Sequence, residues 1–251
     1  MLDSERFLPG VPHAYVLERL EKASGHELTS GKFWSRDSSA ALAVNTFGWF
    51  IDRPERLPSL QEAQRPSWPP ERVEVEYCAR FPWQGGSHPW LDACVMTKSD
   101  VIGVESKRFE PFRDVKTVSF SDAYDRPVWG TNMSPYEELR DRLRSGEETF
   151  KLLDAAQLVK HAFGLVTEAR RQSKRPRLFY LFAEPATVGG KPIKHAVKVR
   201  HREEIARFAS LVEGAAVSFS ARSYREWLSA WPVSDPELTD HRERVLRTFE
   251  P

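Results

Sequence analysis

The chain has 251 residues, 40% of them apolar and eight of them Trp, and a formal net charge of +1. That length suits one fairly large domain with a substantial core. The near-neutral balance excludes a uniformly basic nucleic-acid binder, although a local basic groove fits within a neutral total.

Cys78 and Cys94 are the two cysteines. Both fall in predicted strands, which reads as buried thiols in a reducing, cytoplasmic setting rather than a disulfide. No CxxC or HExxH spacing occurs, so a structural zinc site is not expected. The start, MLDSERFLPG, carries acids and no apolar run, unlike a signal peptide. No segment approaches the roughly 20 apolar residues of a membrane span.

In chain order, residues 12–24 predict a short helix ending at Gly25. Ser38-Ser39 caps a second, largely apolar helix, AALAVNTFGWF. Residues 53–71 hold five of the eighteen prolines and read as an irregular connector. Residues 72–82 alternate, with Val73, Val75, Tyr77, Ala79 and Phe81 on one face and Arg72, Glu74, Glu76, Cys78 and Arg80 on the other. A period of two is a strand. Trp83-Gln84-Gly85-Gly86 turns the chain into a second strand at about 88–97, and Lys98-Ser99-Asp100 turns it into a third at about 100–108. These make an antiparallel meander.

Residues 109–133 are irregular and rich in aromatics and arginine. Ser134-Pro135-Tyr136-Glu137 then predicts a helix start, with Ser as N-cap, Pro at the first position and Glu completing a capping box. Residues 150–172 predict the strongest helix, with Leu152, Leu153, Ala156, Val159, Phe163 and Val166 on one face. Residues 175–185 read as a compact central strand. A helix (about 201–213), a strand (AAVSFSA), a short helix (SYREWLSAW) and a charged terminal helix follow. The expected fold is α/β, a three-layer α/β/α core with a mixed central sheet. We expect a single domain over 1–251, with its core at about 72–185, an N-terminal helical region at 1–52 and a C-terminal α/β extension at 199–251.

The chemistry concentrates in Asp92 and in Glu105-Ser106-Lys107. Glu105 and Lys107 are two apart on a strand, so they leave one face about 7 Å from each other. The turn centre between residues 98 and 99 sets Asp92 directly opposite Glu105. Two facing carboxylates repel unless positive charge lies between them. Mg²⁺, with Mn²⁺ as substitute, is a natural occupant, being content with two carboxylates, waters and phosphate oxygens. Lys107 is then placed to orient or deprotonate a water, or to stabilise charge on a phosphate. An ordinary cross-strand salt bridge is the bland alternative; acids set within apolar runs, LDACV and VIGVES, argue against it.

The order of elements around Asp92 and Glu105-Ser106-Lys107 resembles the PD-(D/E)XK nuclease superfamily. The longer runs SSAALAVNTFGWF, RFPWQGGSHPWLDA, IGVESKRFEPFRD, SDAYDRPVWG and LLDAAQLVKHAFGL resemble a bacterial family of restriction-endonuclease-like proteins. The resemblance implies Asp92 and Glu105 as metal ligands and Lys107 as the catalytic lysine. One departure is that Leu91, not Pro, precedes Asp92. Relatives often add an upstream acid; Glu76 and Glu74 are the candidates here, on a strand face directed either to the site or to solvent. Gln157 and Lys160 resemble a Gln-x-x-Lys extension on the following helix, which implies a catalytic role in touching a phosphate or positioning the metal-bound water. His161 beside them reads as a partly exposed polar residue, with nucleic-acid contact as the alternative.

Arg108, Arg113, Lys116 and Arg126, interleaved with Phe112, Tyr124 and Trp129, suit phosphate contact and base stacking. The implied activity is metal-dependent hydrolysis of DNA, restriction- or defence-related, with double-stranded DNA as partner. RNA or a repair intermediate as substrate is a further reading, and an inactive nucleic-acid-binding protein on the same scaffold is another. Against loss of chemistry, all three core residues are kept. No segment reads as a dimer interface, and a homodimer would decide between nicking and double-strand cleavage.

Overall fold

The computed structural model describes residues 6–23, 27–61 and 67–251. Its centre is a mixed sheet in the order β1 (Arg72–Cys78), β2 (Trp90–Met96), β3 (Asp100–Lys107), β4 (Arg175–Phe182) and β7 (Ser218–Ser223). The pairs β1–β2 and β2–β3 are antiparallel, while β3–β4 and β4–β7 are parallel. Parallel neighbours need a crossover. Helix α5 (Ala155–Arg171) supplies the first and α6 (His195–Leu211) the second. A small hairpin, β5 (Thr187–Val188) with β6 (Lys191–Pro192), stands between β4 and α6.

Helices cover both faces. On one side α1 (His13–Lys22), α2 (Ser39–Gly48), α7 (Tyr224–Ser229) and α8 (Pro236–Phe249) pack on Val73, Val75, Ala93, Val95, Ile102 and Val104. On the other, α4 (Ser134–Ser145), α5 and α6 pack on Leu91, Met96, Val101, Leu178, Tyr180 and Phe182. The architecture is the three-layer α/β/α arrangement expected. The approach is close at Gly103, where an added Cβ would lie 2.8 Å from Leu91 and Leu165. No helix among the described residues is long and apolar enough to cross a membrane.

Several boundaries shift for physical reasons. Gly25, the expected stop of the first helix, lies outside the described residues; α1 ends at Lys22. Helix α4 begins at Ser134 itself, follows Met133, and has no side-chain cap, so the capping box is not formed. Helix α5 starts at Ala155, where the Asp154 side chain accepts from the Gln157 N–H; Leu152 and Leu153 precede it. Their N–H groups, with that of Lys151, point instead at the buried Glu204 carboxylate. Strand β7 pairs in parallel with β4 and is the fifth strand of the central sheet. The irregular segment 109–133 contains a short helix, α3 (Glu110–Arg113), and a 3₁₀ turn at Asp122–Asp125. Both cysteines are free; Cys94 is buried and Cys78 only half-buried.

The strict alternation expected along 72–82 breaks at Glu76. Val73 and Val75 belong to the α1/α2 side, whereas Tyr77, Ala79 and Phe81 pack on the α5 side. Strand β2 does the same, with Ala93 on one side and Leu91 on the other. Glu76 has a φ of +48°, in the left-handed region that non-glycine residues rarely adopt. Arg19 of α1 braces this turn of the backbone by donating to the Glu76 carbonyl at 2.9 Å and to the Val75 carbonyl at 3.4 Å.

Candidate active site

Strand register brings the acids together. Ala93 pairs with Val104, the pairing the turn arithmetic requires, so the next step along faces Asp92 with Glu105. In the β1–β2 ladder Val75 pairs with Ala93 and Tyr77 with Leu91, which sets Glu76 across from Asp92. Glu76, Asp92 and Glu105 therefore form a row across three strands. Glu105 pairs onward with Tyr180 of β4.

Within the Glu-Ser-Lys triplet, successive side chains part company as a pleat demands. The Lys107 ammonium forms an ion pair with Glu105 Oε1. Ser106 points to the opposite layer, where its hydroxyl meets the Tyr224 hydroxyl at 2.6 Å, while its N–H donates to Asp92 Oδ2 at 2.6 Å. From α5, His161 Nδ1 lies 3.1 Å from Glu105 Oε2. His161 is buried, not the partly exposed residue expected from the sequence.

The charges are unequally compensated. Burial would raise the Glu105 carboxyl, but Lys107 and His161 outweigh it and hold it at about 2. Asp92 is pushed well above the usual carboxylate range, by burial first and then by the Glu105 charge. Glu76 is pushed up to about 7 by burial and then by Glu27 and Glu105. Burial favours the neutral form of Lys107, yet Glu105 and Asp92 raise it well above an ordinary lysine. Lys107 is thus an ammonium, locked among acids.

These groups face a cleft of about 550 Å³. Glu76, Asp92 and Lys107 line it from the sheet, Gln157, Lys160 and His161 from α5. Asp154, at the start of α5, joins them. Lys160 also stands over the Phe120 ring, and burial lowers its ammonium. Glu105 does not itself line the cleft; it is buried behind Lys107 and His161, which do. From the other helical layer, Ala23, Ser39 and Ala40 form the facing wall.

The arginines predicted to contact nucleic acid do not gather here. Arg108 is a correction: it is buried, and its guanidinium donates to the carbonyls of Arg36 and Phe249, so it ties the end of α8 to the sheet. Arg113 is paired with its neighbour Asp114 and lines a separate hollow with Asp37. Arg126 is exposed and stacks over Trp83 at 4.4 Å. Glu74, the other upstream acid, pairs with Arg19 and Arg72 away from the cleft.

The sequence reading missed four cleft-lining groups: Glu27, His88, Glu110 and Asp154. Asp154 carried a legible signal, because Asp-Ala-Ala-Gln has the spacing of a capping box. The other three carried none, since irregular segments place Glu27 and His88 and the short helix α3 places Glu110.

Over this same span, residues 4–242 match the family described as "Restriction Endonuclease associating with ARP". The chain belongs to that restriction-endonuclease family. No curated protein and no solved structure matches it.

In this restriction-endonuclease family member the cleft chemistry suits a hard divalent cation. Glu105 Oε1 is buried and meets no hydrogen bond of good geometry despite the nearby ammonium. His161 Nδ1 lies 3.1 Å from Glu105 Oε2, also without good hydrogen-bond geometry. Two carboxyl groups in the row, Asp92 and Glu76, are raised by burial and then by neighbouring acids, more than Lys107 and the other nearby donors offset. No group of three or more His, Cys, Asp and Glu side chains among the described residues forms an all-protein metal cage. Mg²⁺ rarely uses such a cage; it binds through one or two carboxylates and completes its shell with waters and phosphates.

Proposed function

We propose that the chain is a metal-dependent endonuclease of PD-(D/E)XK type that hydrolyses phosphodiester bonds of double-stranded DNA, in a restriction or defence setting. The observation that carries this is the row of Glu76, Asp92 and Glu105 beside Lys107, with Glu76, Asp92 and Lys107 lining one cleft and Glu105 buried against Lys107. Mg²⁺, or Mn²⁺ in its place, would be held by Asp92 and Glu105 with Glu76 beside them, and when bound supplies Lewis-acid polarisation of a phosphate oxygen.

The chain's own residues supply the rest. Lys107 is held on one face of the sheet by Glu105 and Asp92, and it stays protonated because both acids favour its charged form. It donates to the attacking water or to a phosphate oxygen, and its positive charge stabilises the extra negative charge of the pentacovalent transition state. Its high proton affinity favours this electrostatic role over removal of a proton from water. His161 fixes the Glu105 carboxylate from the α5 side. The Ser106 N–H fixes Asp92, so both acids are positioned before substrate arrives. Gln157 and Lys160, one helical turn apart on the cleft wall, contact the phosphate backbone.

Purified protein incubated with supercoiled DNA, linear DNA and RNA, with Mg²⁺ or Mn²⁺, tests the reading. Cleavage of DNA is expected, with losses of roughly 100-fold or more in Asp92→Asn and Lys107→Ala, the scale seen when a transition-state-stabilising group is removed. No cleavage by the wild type, or undiminished cleavage by these variants, overturns it. Preference for RNA would keep the chemistry and change the substrate.

A further inference from the structure

The cleft is poor in positive charge for a surface that holds a polyanion. Glu27, Glu76, Asp92, Glu110 and Asp154 line it against two lysines, Lys107 and Lys160. Neutral hydrogen-bond donors must therefore share in positioning a phosphate backbone. One such donor is built into the loop between β1 and β2.

His88 lines the cleft, and its ring is fixed from several sides. The Phe81 N–H donates to His88 Nδ1 at 3.2 Å, and the ring packs against Phe81 with centroids 5.4 Å apart. The loop carrying both residues is closed by the Ala79 N–H donating to the Pro89 carbonyl at 2.9 Å. It is clamped to α5 by Arg171, which donates to the carbonyls of Arg80 and Phe81 at 2.8 and 2.7 Å. A backbone N–H can only donate, so Nδ1 accepts and carries no proton; in the neutral ring the proton sits on Nε2. Burial, then the Arg80 and Arg171 charges, lower the His88 pKa and favour that neutral ring. Nε2 has no hydrogen-bond partner among the described residues. The result is a rigid, uncharged N–H donor on the wall of an acidic cleft.

We propose that His88 is a phosphate-binding residue, its Nε2–H donating to a non-bridging oxygen of the nucleic-acid backbone as the strand crosses the cleft. This rests on the nuclease reading above. The site takes a phosphodiester, and the uncharged donor contributes affinity without adding a cation to the metal-binding floor. His88 then acts in substrate binding, and its loss raises KM more than it lowers kcat.

Two substitutions separate this role from a structural one. In His88→Asn the side-chain carbonyl replaces Nδ1 as acceptor for Phe81, but no donor reaches the Nε2 position. In His88→Gln the amide N–H reaches that position and the Nδ1 contact is lost. Binding of a DNA duplex is measured by anisotropy in Ca²⁺, cleavage is measured in Mg²⁺, and folding is followed by thermal melts. The expected result is a normal melt for His88→Asn with Kd and KM raised about 10-fold or more, the scale of a hydrogen bond to a charged group. His88→Gln is expected to recover most of that affinity. Unchanged Kd and KM in His88→Asn, or His88→Gln no better than His88→Asn, overturns the proposal while leaving the nuclease intact. Should His88→Gln fail to fold, His88→Asn alone decides. A wild type that neither binds nor cuts nucleic acid overturns both readings.

Discussion

Two buried histidines should each subtract stability from this protein in mild acid. His201 of α6 meets the Tyr180 hydroxyl through Nε2 at 3.1 Å and packs edge-on against Phe182. His241 of α8 donates from Nε2 to the Thr46 carbonyl at 3.3 Å and stacks on Trp49 with centroids 5.0 Å apart. In both rings Nδ1 is buried without a partner, so a second proton would have no acceptor. Burial lowers each to about 4, from an ordinary 6.5. The unfolded chain binds protons on these rings between pH 6.5 and 4, while the folded chain does not. Their contribution is therefore fully present above pH 6.5 and lost as pH falls toward 4. Between pH 7.5 and 5 each ring costs about 2 kcal/mol, hence about 4 kcal/mol for the pair, a large share of a typical domain's stability. Urea unfolding at the two pH values measures it. With an m-value of about 3 kcal/mol/M, the midpoint should fall by more than about 1 M further than in a protein without the two imidazoles. Glu76 and Asp92, whose carboxyls are raised, act in the opposite direction in both proteins. The variant carrying His201→Phe and His241→Phe keeps aromatic rings in both places and should lose most of that fall. All carboxylates are common to both proteins and cancel in the comparison. An equal pH dependence in the wild type and the double variant would refute the reasoning.

Other substitutions probe the scaffold and the row of acids. At Gly164 of α5 an added Cβ would lie 2.6 Å from Pro89 and 2.8 Å from the Ala79 carbonyl, so Gly164→Ala overpacks the helix against the β1–β2 loop. Calorimetry should show a loss of about 1–3 kcal/mol. Arg108→Met strands the Arg36 and Phe249 carbonyls. It should lower stability by about 1–3 kcal/mol in chemical denaturation, yet leave DNA affinity unchanged when measured well below the melting point. Glu76→Gln removes a carboxylate that burial and neighbouring acids disfavour. It should raise the Tm of the metal-free protein at pH 8, where Glu76 is ionised, and leave it nearly unchanged at pH 5, while weakening Mg²⁺-dependent activity.

The parts of the site legible in sequence depend on short-range geometry. The turn at Lys98-Ser99-Asp100 fixed the β2–β3 register, and strand parity placed Glu105 and Lys107 on one face. Helical spacing likewise brought Gln157 and Lys160 to one wall. The illegible parts depend on long-range packing. Arg108 looks like a loop cation in sequence, but the carbonyl that captures it lies 141 positions away. His161 follows two polar cleft residues, yet its ring is buried at the cleft wall against Glu105, a contact between α5 and β3 that local spacing does not announce. The place of β7 beside β4 required knowing that α6 crosses over the sheet, which a run such as AAVSFSA does not announce.

Glu76 shows why period alone cannot locate such a site. Perfect alternation would have kept Val75 and Tyr77 on one face and left Glu74 and Glu76 sharing the other. Instead β1 and β2 roll over together where Glu76 faces Asp92, and the two neighbouring glutamates diverge in role. Glu74 goes to Arg19 and Arg72, while Glu76 goes to the cleft. Beside this roll, Ser39 and Ala40 from one helical layer and Gln157 and Lys160 from the other line the same cleft. A left-handed φ at a non-glycine residue costs on the order of 1 kcal/mol or more. Here Arg19 stabilises it through the carbonyls on either side of the turn. A chain that holds an acid in this conformation, buried beside two others, gives up stability at the position where three carboxylates can meet a cation and a phosphate. That is the expected signature of a site shaped by chemistry rather than by packing.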